Sequence, residues 1–147
     1  MSKITANDII QTLQLQPHPE GGYYREIYRS EGSIPQNALP QTFHGNRPYA
    51  TGIYYLLCKG DESRLHKIAS DEQWHFYLGD ALVVYQINNN GQREEYRLGQ
   101  NILSGDQLQH VVPAGLPFGA YLPEGSEFAL AGCTVSPGFD FAEFEML

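Results

Sequence analysis

The sequence predicts an all-β domain: a sandwich or closed barrel of short strands, with the jelly roll among the available architectures and one short helix at the start. Three observations predict it. Aromatic residues are abundant, with 10 Tyr, 7 Phe and 1 Trp, and such side chains suit half-buried strands. The 15 Gly and 9 Pro supply turns between them. Short β-prone runs then recur at regular intervals along 147 residues, about the length of one domain.

The helix comes first. Thr5-Ala6-Asn7-Asp8 offers an N-cap hydroxyl with a carboxylate three residues on, a variant of the capping box. Ile9, Ile10 and Leu13 form one apolar stripe, and Pro17 and Pro19 stop the helix. Tyr23 to Arg29 is β-prone with charges on both alternating faces. Glu31 to Pro48 is a long polar connection of the kind that forms lids or interface segments. Thr51 to Leu57 is strongly β-prone and ends at Lys59-Gly60-Asp61. Strands are expected at Ser63 to Ile68, Gln73 to Leu78 and Ala81 to Ile87. Asn88-Asn89-Asn90-Gly91 is a hairpin turn, since Asn and Gly tolerate positive φ, and Gln92 to Leu98 pairs back across it. Further strands are expected at Leu108 to Val112, Gly119 to Leu122, Phe128 to Val135 and Phe141 to Glu145.

Composition removes several function classes. A net charge of −8 repels phosphate backbones and anionic lipid, which argues against nucleic-acid and membrane partners. No apolar run approaches the roughly 20 residues of a membrane span, and MSKITANDII lacks a signal peptide's apolar stretch, so a cytoplasmic protein is expected. Cys58 and Cys133 lack disulfide-framework or metal-type spacing and read as free packing thiols.

The main chemical signal runs from Gly60 to Gly79. On a regular strand Arg64, His66 and Ile68 share a face, and a turn near Ser70-Asp71 brings Glu72 beside His66. An imidazole next to a carboxylate inside a barrel serves as a metal site or as a general base with its orienting partner. Glu72, Trp74 and Phe76 share one face, so His75 points away unless a bulge intervenes. Upstream, Glu20-Gly21-Gly22-Tyr23-Tyr24-Arg25-Glu26 combines a permissive Gly pair with two tyrosines and adjacent charges. Arg25 or Glu26 is expected to help line a pocket. His18 and His44 read as solvent or interface residues, and Glu143-Phe144-Glu145 as a solvated strand edge.

Gly60, His66, Glu72 and Gly79 match the spacing of the first motif of the cupin superfamily, with Ile68 in place of its second histidine. Gly105-Asp106, Pro113-Ala114-Gly115 and Phe118 resemble the second motif, with Phe118 where cupins usually place their last metal-binding histidine. With His18-Pro-Glu-Gly-Gly-Tyr-Tyr-Arg-Glu26, Asp71-Glu-Gln-Trp-His-Phe76 and Val112-Pro-Ala-Gly115, nearly the whole chain resembles the uncharacterised stand-alone cupin family labelled cupin type five.

The resemblance implies a double-stranded β-helix, a cupin-like jelly-roll barrel with a short N-terminal helix. One domain would span 1–147, an extension 1–48 preceding a barrel core from about 49. It further implies a sugar-epimerase-like fold and a homodimer. With Ile68 and Phe118 offering no lone pair, no cofactor is expected, the alternative being a divalent metal at His66 and Glu72.

The expected function is a pocket for a small polar, carbohydrate-like molecule. As a metal-independent isomerase or epimerase it would use His66 as base, Glu72 to hold its tautomer, and Tyr23 or Tyr24 to return a proton. Arg64, Trp74, His75 and Phe118 join Tyr23, Tyr24, Arg25 and Glu26 as candidate ligand-binding residues. A non-catalytic binding or sensory module is the alternative; a metal-dependent oxygenase is disfavoured.

Overall fold

The computed structural model describes residues 3–147. Helix α1 (Ala6–Leu13) is capped as its sequence requires. The Thr5 hydroxyl accepts from the Asp8 N–H at 3.1 Å, and the Asp8 carboxylate accepts from the Thr5 N–H at 2.9 Å. The helix ends earlier than its prolines demand: Gln14 adopts the left-handed conformation (φ 57°). Its apolar stripe buries Ile9 against Leu15, Leu56 and Leu130 on the outside of a sheet.

Thirteen strands follow among the described residues. They are β1 (Gln16–Pro17), β2 (Tyr23–Arg29), β3 (Ser33–Ile34), β4 (Arg47–Pro48), β5 (Thr51–Cys58), β6 (Glu62–Lys67), β7 (Asp71–Gly79), β8 (Leu82–Ile87), β9 (Arg93–Leu98), β10 (Gln109–Val112), β11 (Phe118–Tyr121), β12 (Phe128–Ser136) and β13 (Glu145–Met146). A six-stranded antiparallel sheet has the order β1-β2-β5-β12-β7-β10, and a five-stranded one the order β13-β6-β11-β8-β9. The two form the jelly roll, while β3 and β4 pair by themselves. The segment read as an extension therefore supplies β1 and β2 to the larger sheet. No helix among the described residues is long and apolar enough to cross a membrane.

Alternating residues of both sheets meet in one core that includes Tyr55, Leu57, Trp74, Val84, Leu98 and Phe118. Burial of each such side chain contributes about 1.5–3 kcal/mol. Three register shifts decide which residues face inward. In β6, Arg64 and Leu65 together oppose Gly119, so Ser63 and His66 both point inward while Arg64 is exposed. In β2 the extra residue is Ile27, and in β7 it is Tyr77. Such bulges reverse the facing of everything beyond them.

The chain end departs from the expected strand. Phe141–Glu143 is a 3₁₀ turn, because the Asp140 carboxylate caps the Ala142 N–H at 2.8 Å; only β13 remains as strand. Glu143 is no solvated edge residue. The buried Arg47 guanidinium donates to both of its carboxylate oxygens, with Nε to Oε1 at 2.7 Å. Glu145 does stay exposed, 3.6 Å from Lys67.

Candidate functional site

A cavity of about 190 Å³ opens at one end of the barrel. Its floor carries His66 from β6, Glu72 from β7 and Cys133 from β12; Tyr24 and Ile53 form part of the wall. Two segments outside the regular strands close it: the turn bearing His18 and Glu20, and the C-terminal loop bearing Phe139 and Phe141.

The turn from His18 to Gly22 aims Glu20 inward. The Gly21 N–H donates to the His18 carbonyl at 3.0 Å, and the His18 N–H to the Gly22 carbonyl at 2.9 Å. Gly21 has φ +111°, and a Cβ there would lie 1.9 Å from the Glu62 carbonyl oxygen. The Tyr55 hydroxyl, buried under the turn, donates to the Gly21 carbonyl at 2.5 Å. No side chain fits at position 21, and this close approach is what seats the neighbouring carboxylate in the barrel.

Glu20 Oε2 lies 2.6 Å from His66 Nε2, and both side chains are buried. His66 Nδ1 is 2.7 Å from the Arg64 carbonyl oxygen, so both ring nitrogens point at acceptors, the arrangement of an imidazolium. Burial by itself would lower the His66 pKa, but the hydrogen bond and charge of Glu20, supported by Glu72, outweigh it and raise it. His18 goes the other way: burial lowers its pKa against the opposing charge of Glu20. Its Nδ1 accepts the Glu20 N–H at 3.1 Å, so His18 is neutral and its 3.9 Å approach to the Glu20 carboxylate is no ion pair.

Glu72 faces the cavity at 9% exposure and makes no hydrogen bond of regular geometry to any described residue. Burial first, then the charge of Glu20, push its carboxyl up to about 8, while His66 and the nearby Trp74 indole pull it down. That indole N–H forms no regular hydrogen bond. Burial likewise raises the Cys133 thiol well above its ordinary value, so it is not a thiolate nucleophile.

Of the expected site residues, His66, Glu72, Tyr24 and Glu26 line the cavity. The position beside His66 that was expected for Glu72 is held by Glu20. Tyr23 and Arg25 point to the opposite face of β2, where Tyr23 packs under the helix and Arg25 donates to the Leu13 carbonyl at 3.2 Å. Arg64, displaced by the β6 bulge, donates to the Pro19 carbonyl at 2.5 Å. Trp74 is sealed in the core, edge-on to Tyr55 at 5.6 Å. His75 points outward and meets the Thr134 hydroxyl at 3.1 Å.

Phe118 packs its ring 4.2 Å from that of His66, and Phe144 stacks on the same imidazole at 5.3 Å. His18, expected at solvent or an interface, lines the cavity with its side chain 7% exposed. Glu20 and His18 were the residues missed. Their only signal was the run His18-Pro19-Glu20-Gly21-Gly22, where two glycines beside a carboxylate mark a close backbone approach.

A family model described as Cupin superfamily (DUF985) matches residues 7–147. The chain belongs to this cupin family. It is 30% identical to the uncharacterized protein YML079W of Saccharomyces cerevisiae, over 95% of this chain and 73% of that one. A hypothetical protein from Leishmania major superposes with a TM-score of 0.88 at 32% identity, covering 98% of this cupin and 88% of its own chain. A Shewanella oneidensis protein does so at 0.87 and 37%, covering 99% and 85%. Bacillus subtilis oxalate decarboxylase shares the fold only, at a TM-score of 0.61, 20% identity and 30% of its chain.

The metal chemistry of other cupins does not suit this donor set. Ile68 and Phe118 bring no lone pair, and both nitrogens of His66 are engaged by Glu20 and Arg64. Among the described residues no three His, Cys, Asp or Glu side chains are grouped to hold a metal ion.

Proposed function

We propose that this cupin binds a small polar molecule in the barrel cavity without a metal, and that Glu72 is its principal polar anchor. The observation carrying this reading is a buried carboxyl facing the cavity, supported by the Trp74 indole alone among the described donors and in no regular geometry. A buried polar group left without a partner costs about 1–3 kcal/mol, so a ligand that completes the hydrogen bonding of Glu72 recovers part of such a loss on binding. Binding pockets for drug-sized molecules run to roughly 300–1,000 Å³. A cavity of about 190 Å³ suits a more compact molecule.

The test is native mass spectrometry of the freshly purified protein, followed by soaking with the recovered compound. The reading expects a low-mass species that Glu72→Gln fails to retain. A stoichiometric transition metal in the purified protein would count against it, as would equal retention by the variant.

One observation favours a second reading, a metal-independent isomerase or epimerase. Burial and the charge of Glu20 push the Glu72 carboxyl up to about 8, and it faces the same cavity as the His66 imidazole, a placement that suits general acid–base work. In that reading Glu72 moves the proton, and His66 supplies positive charge beside it. His66 itself is a poor base here, because neither ring nitrogen is free. Consumption of the recovered compound by the wild type, and not by Glu72→Gln, would select this reading over simple binding.

We also propose that two copies pair, since β10 ends the larger sheet with Leu108 and Val111 exposed beside it. Light scattering giving only the 16.5 kDa species would refute that.

A further inference from the structure

We propose that the ligand of this cavity is a small organic cation, a protonated amine whose ammonium group pairs with Glu72 and whose hydrocarbon part lies against Tyr24, Phe139 and Phe141. The inference rests on the reading of the cavity as a ligand pocket and adds the charge class of its occupant.

Charge is the first argument. The described cavity wall holds four carboxyls, Glu20, Glu26, Glu72 and Asp140, and no lysine. Its one arginine, Arg29, is already satisfied: it donates to both oxygens of Glu26, at 2.6 and 3.1 Å, and to the Phe139 carbonyl at 3.1 Å. His66 is matched by Glu20 at 2.6 Å. Arg25 and Arg64, the counter-charges an anionic ligand would need, are spent on backbone carbonyls outside the cavity. After these pairings Asp140 and Glu72 remain, and a cation bound at Glu72 draws off the proton that burial otherwise holds there. Asp140 lies 3.9 Å from Arg47, whose guanidinium is already taken by Glu143. A phosphate, a pyrophosphate or a carboxylate would therefore find no free counter-charge among the described lining residues.

The second argument is independent of the count. Glu72 is 9% exposed and faces the cavity, and its one neighbouring donor among the described residues, the neutral Trp74 indole, makes no regular hydrogen bond. A carboxylate in that position costs several kcal/mol unless a cation or donor reaches it. An ammonium group supplies both the charge and up to three N–H donors. The third argument is the wall above it. Tyr24, Phe139 and the half-exposed Phe141 add aromatic surface to the lining, and aromatic ring faces attract cations.

The test uses three probes of one shape, each smaller than the cavity: cyclohexylammonium, cyclohexanol and cyclohexanecarboxylate. They are titrated into the full chain by calorimetry and by protein-observed NMR. The proposal expects cyclohexylammonium to bind about tenfold or more tighter than cyclohexanol, as a charge-assisted hydrogen bond predicts, and cyclohexanecarboxylate to bind weakest. In Glu72→Gln, checked for its fold by circular dichroism, the ammonium-to-alcohol preference collapses towards one.

Equal or tighter binding of the alcohol or the carboxylate overturns the cation assignment and leaves the pocket reading standing. So does an ammonium preference that survives unchanged in Glu72→Gln, since the charge would then be read elsewhere. Binding of none of the probes overturns both.

Discussion

Replacing Glu72 by glutamine should stabilise the protein at alkaline pH and leave it nearly unchanged in mild acid. The carboxyl is 9% exposed and raised from 4.5 to about 8 by burial and by Glu20, so solvent screens little of the effect. Between those two values the folded protein keeps a proton that the unfolded chain has released, and stability falls as pH rises. At about 1.4 kcal/mol per pH unit, the loss across that window amounts to several kcal/mol. Below 4.5 both states hold the proton and the penalty vanishes. The titratable groups facing Glu72 are Glu20 from the turn before β2, Tyr55 from β5, His66 from β6 and Cys133 from β12.

His66 adds a slope of the same sign. Its raised pKa gives stability that is complete below the unfolded value, about 6.5, and is lost as pH rises through the folded value. That slope remains in Glu72→Gln. Glutamine keeps the shape of the protonated acid and cannot ionise, so only the Glu72 contribution disappears. Urea unfolding followed by circular dichroism, on both proteins from pH 5 to pH 8.5, measures the difference. The expected outcome is a difference of about 1 kcal/mol or less at pH 5 and an advantage for Glu72→Gln of several kcal/mol at pH 8.5. Parallel stability–pH profiles would refute the reasoning, because they would mean that the folded state does not hold the proton.

Three further perturbations follow from the same geometry. Glu20→Gln removes the counter-charge of a buried imidazolium; since His66 can relieve the strain by becoming neutral, the cost falls at about 3 kcal/mol, the low end for one-sided loss of a buried pair. NMR titration of the His66 ring should then show a lower pKa than in the wild type. Arg47→Met leaves Glu143 buried without its arginine and should cost about 3 kcal/mol, with hydrogen exchange accelerating in residues 139–147 well before β5 and β12. Gly21→Ala forces a Cβ to 1.9 Å from a carbonyl oxygen at φ +111°, so it should cost well over about 1 kcal/mol and lower the His66 pKa by displacing Glu20. Gly125→Ala is the control, with φ +90° but open space around the added carbon: it should be milder and leave His66 untouched.

Local chemistry determined a good deal of this protein. Thr5 and Asp8 cap the helix because their spacing matches the orphan N–H groups of its first turn. Glu72 and Trp74 point inward and His75 outward because β7 is regular up to the bulge at Tyr77, and a strand's side-chain period is two. The spacing of Gly60, His66, Glu72 and Gly79, with the likeness along the rest of the chain, identified the family and its barrel.

What the sequence could not supply is contact between residues far apart in the chain. Arg64 fails to reach the site because a bulge against Gly119 shifts its parity, and a bulge is set by the partner strand. Glu20 reaches His66 across 46 positions because Gly21 lies against the Glu62 carbonyl. The Glu143 side chain is buried because Arg47 meets it from 96 positions earlier in the chain. Periodicity and capping are local and were readable. The pairing of buried charges depends on which segments the closed barrel brings together, and only the tertiary structure decided that.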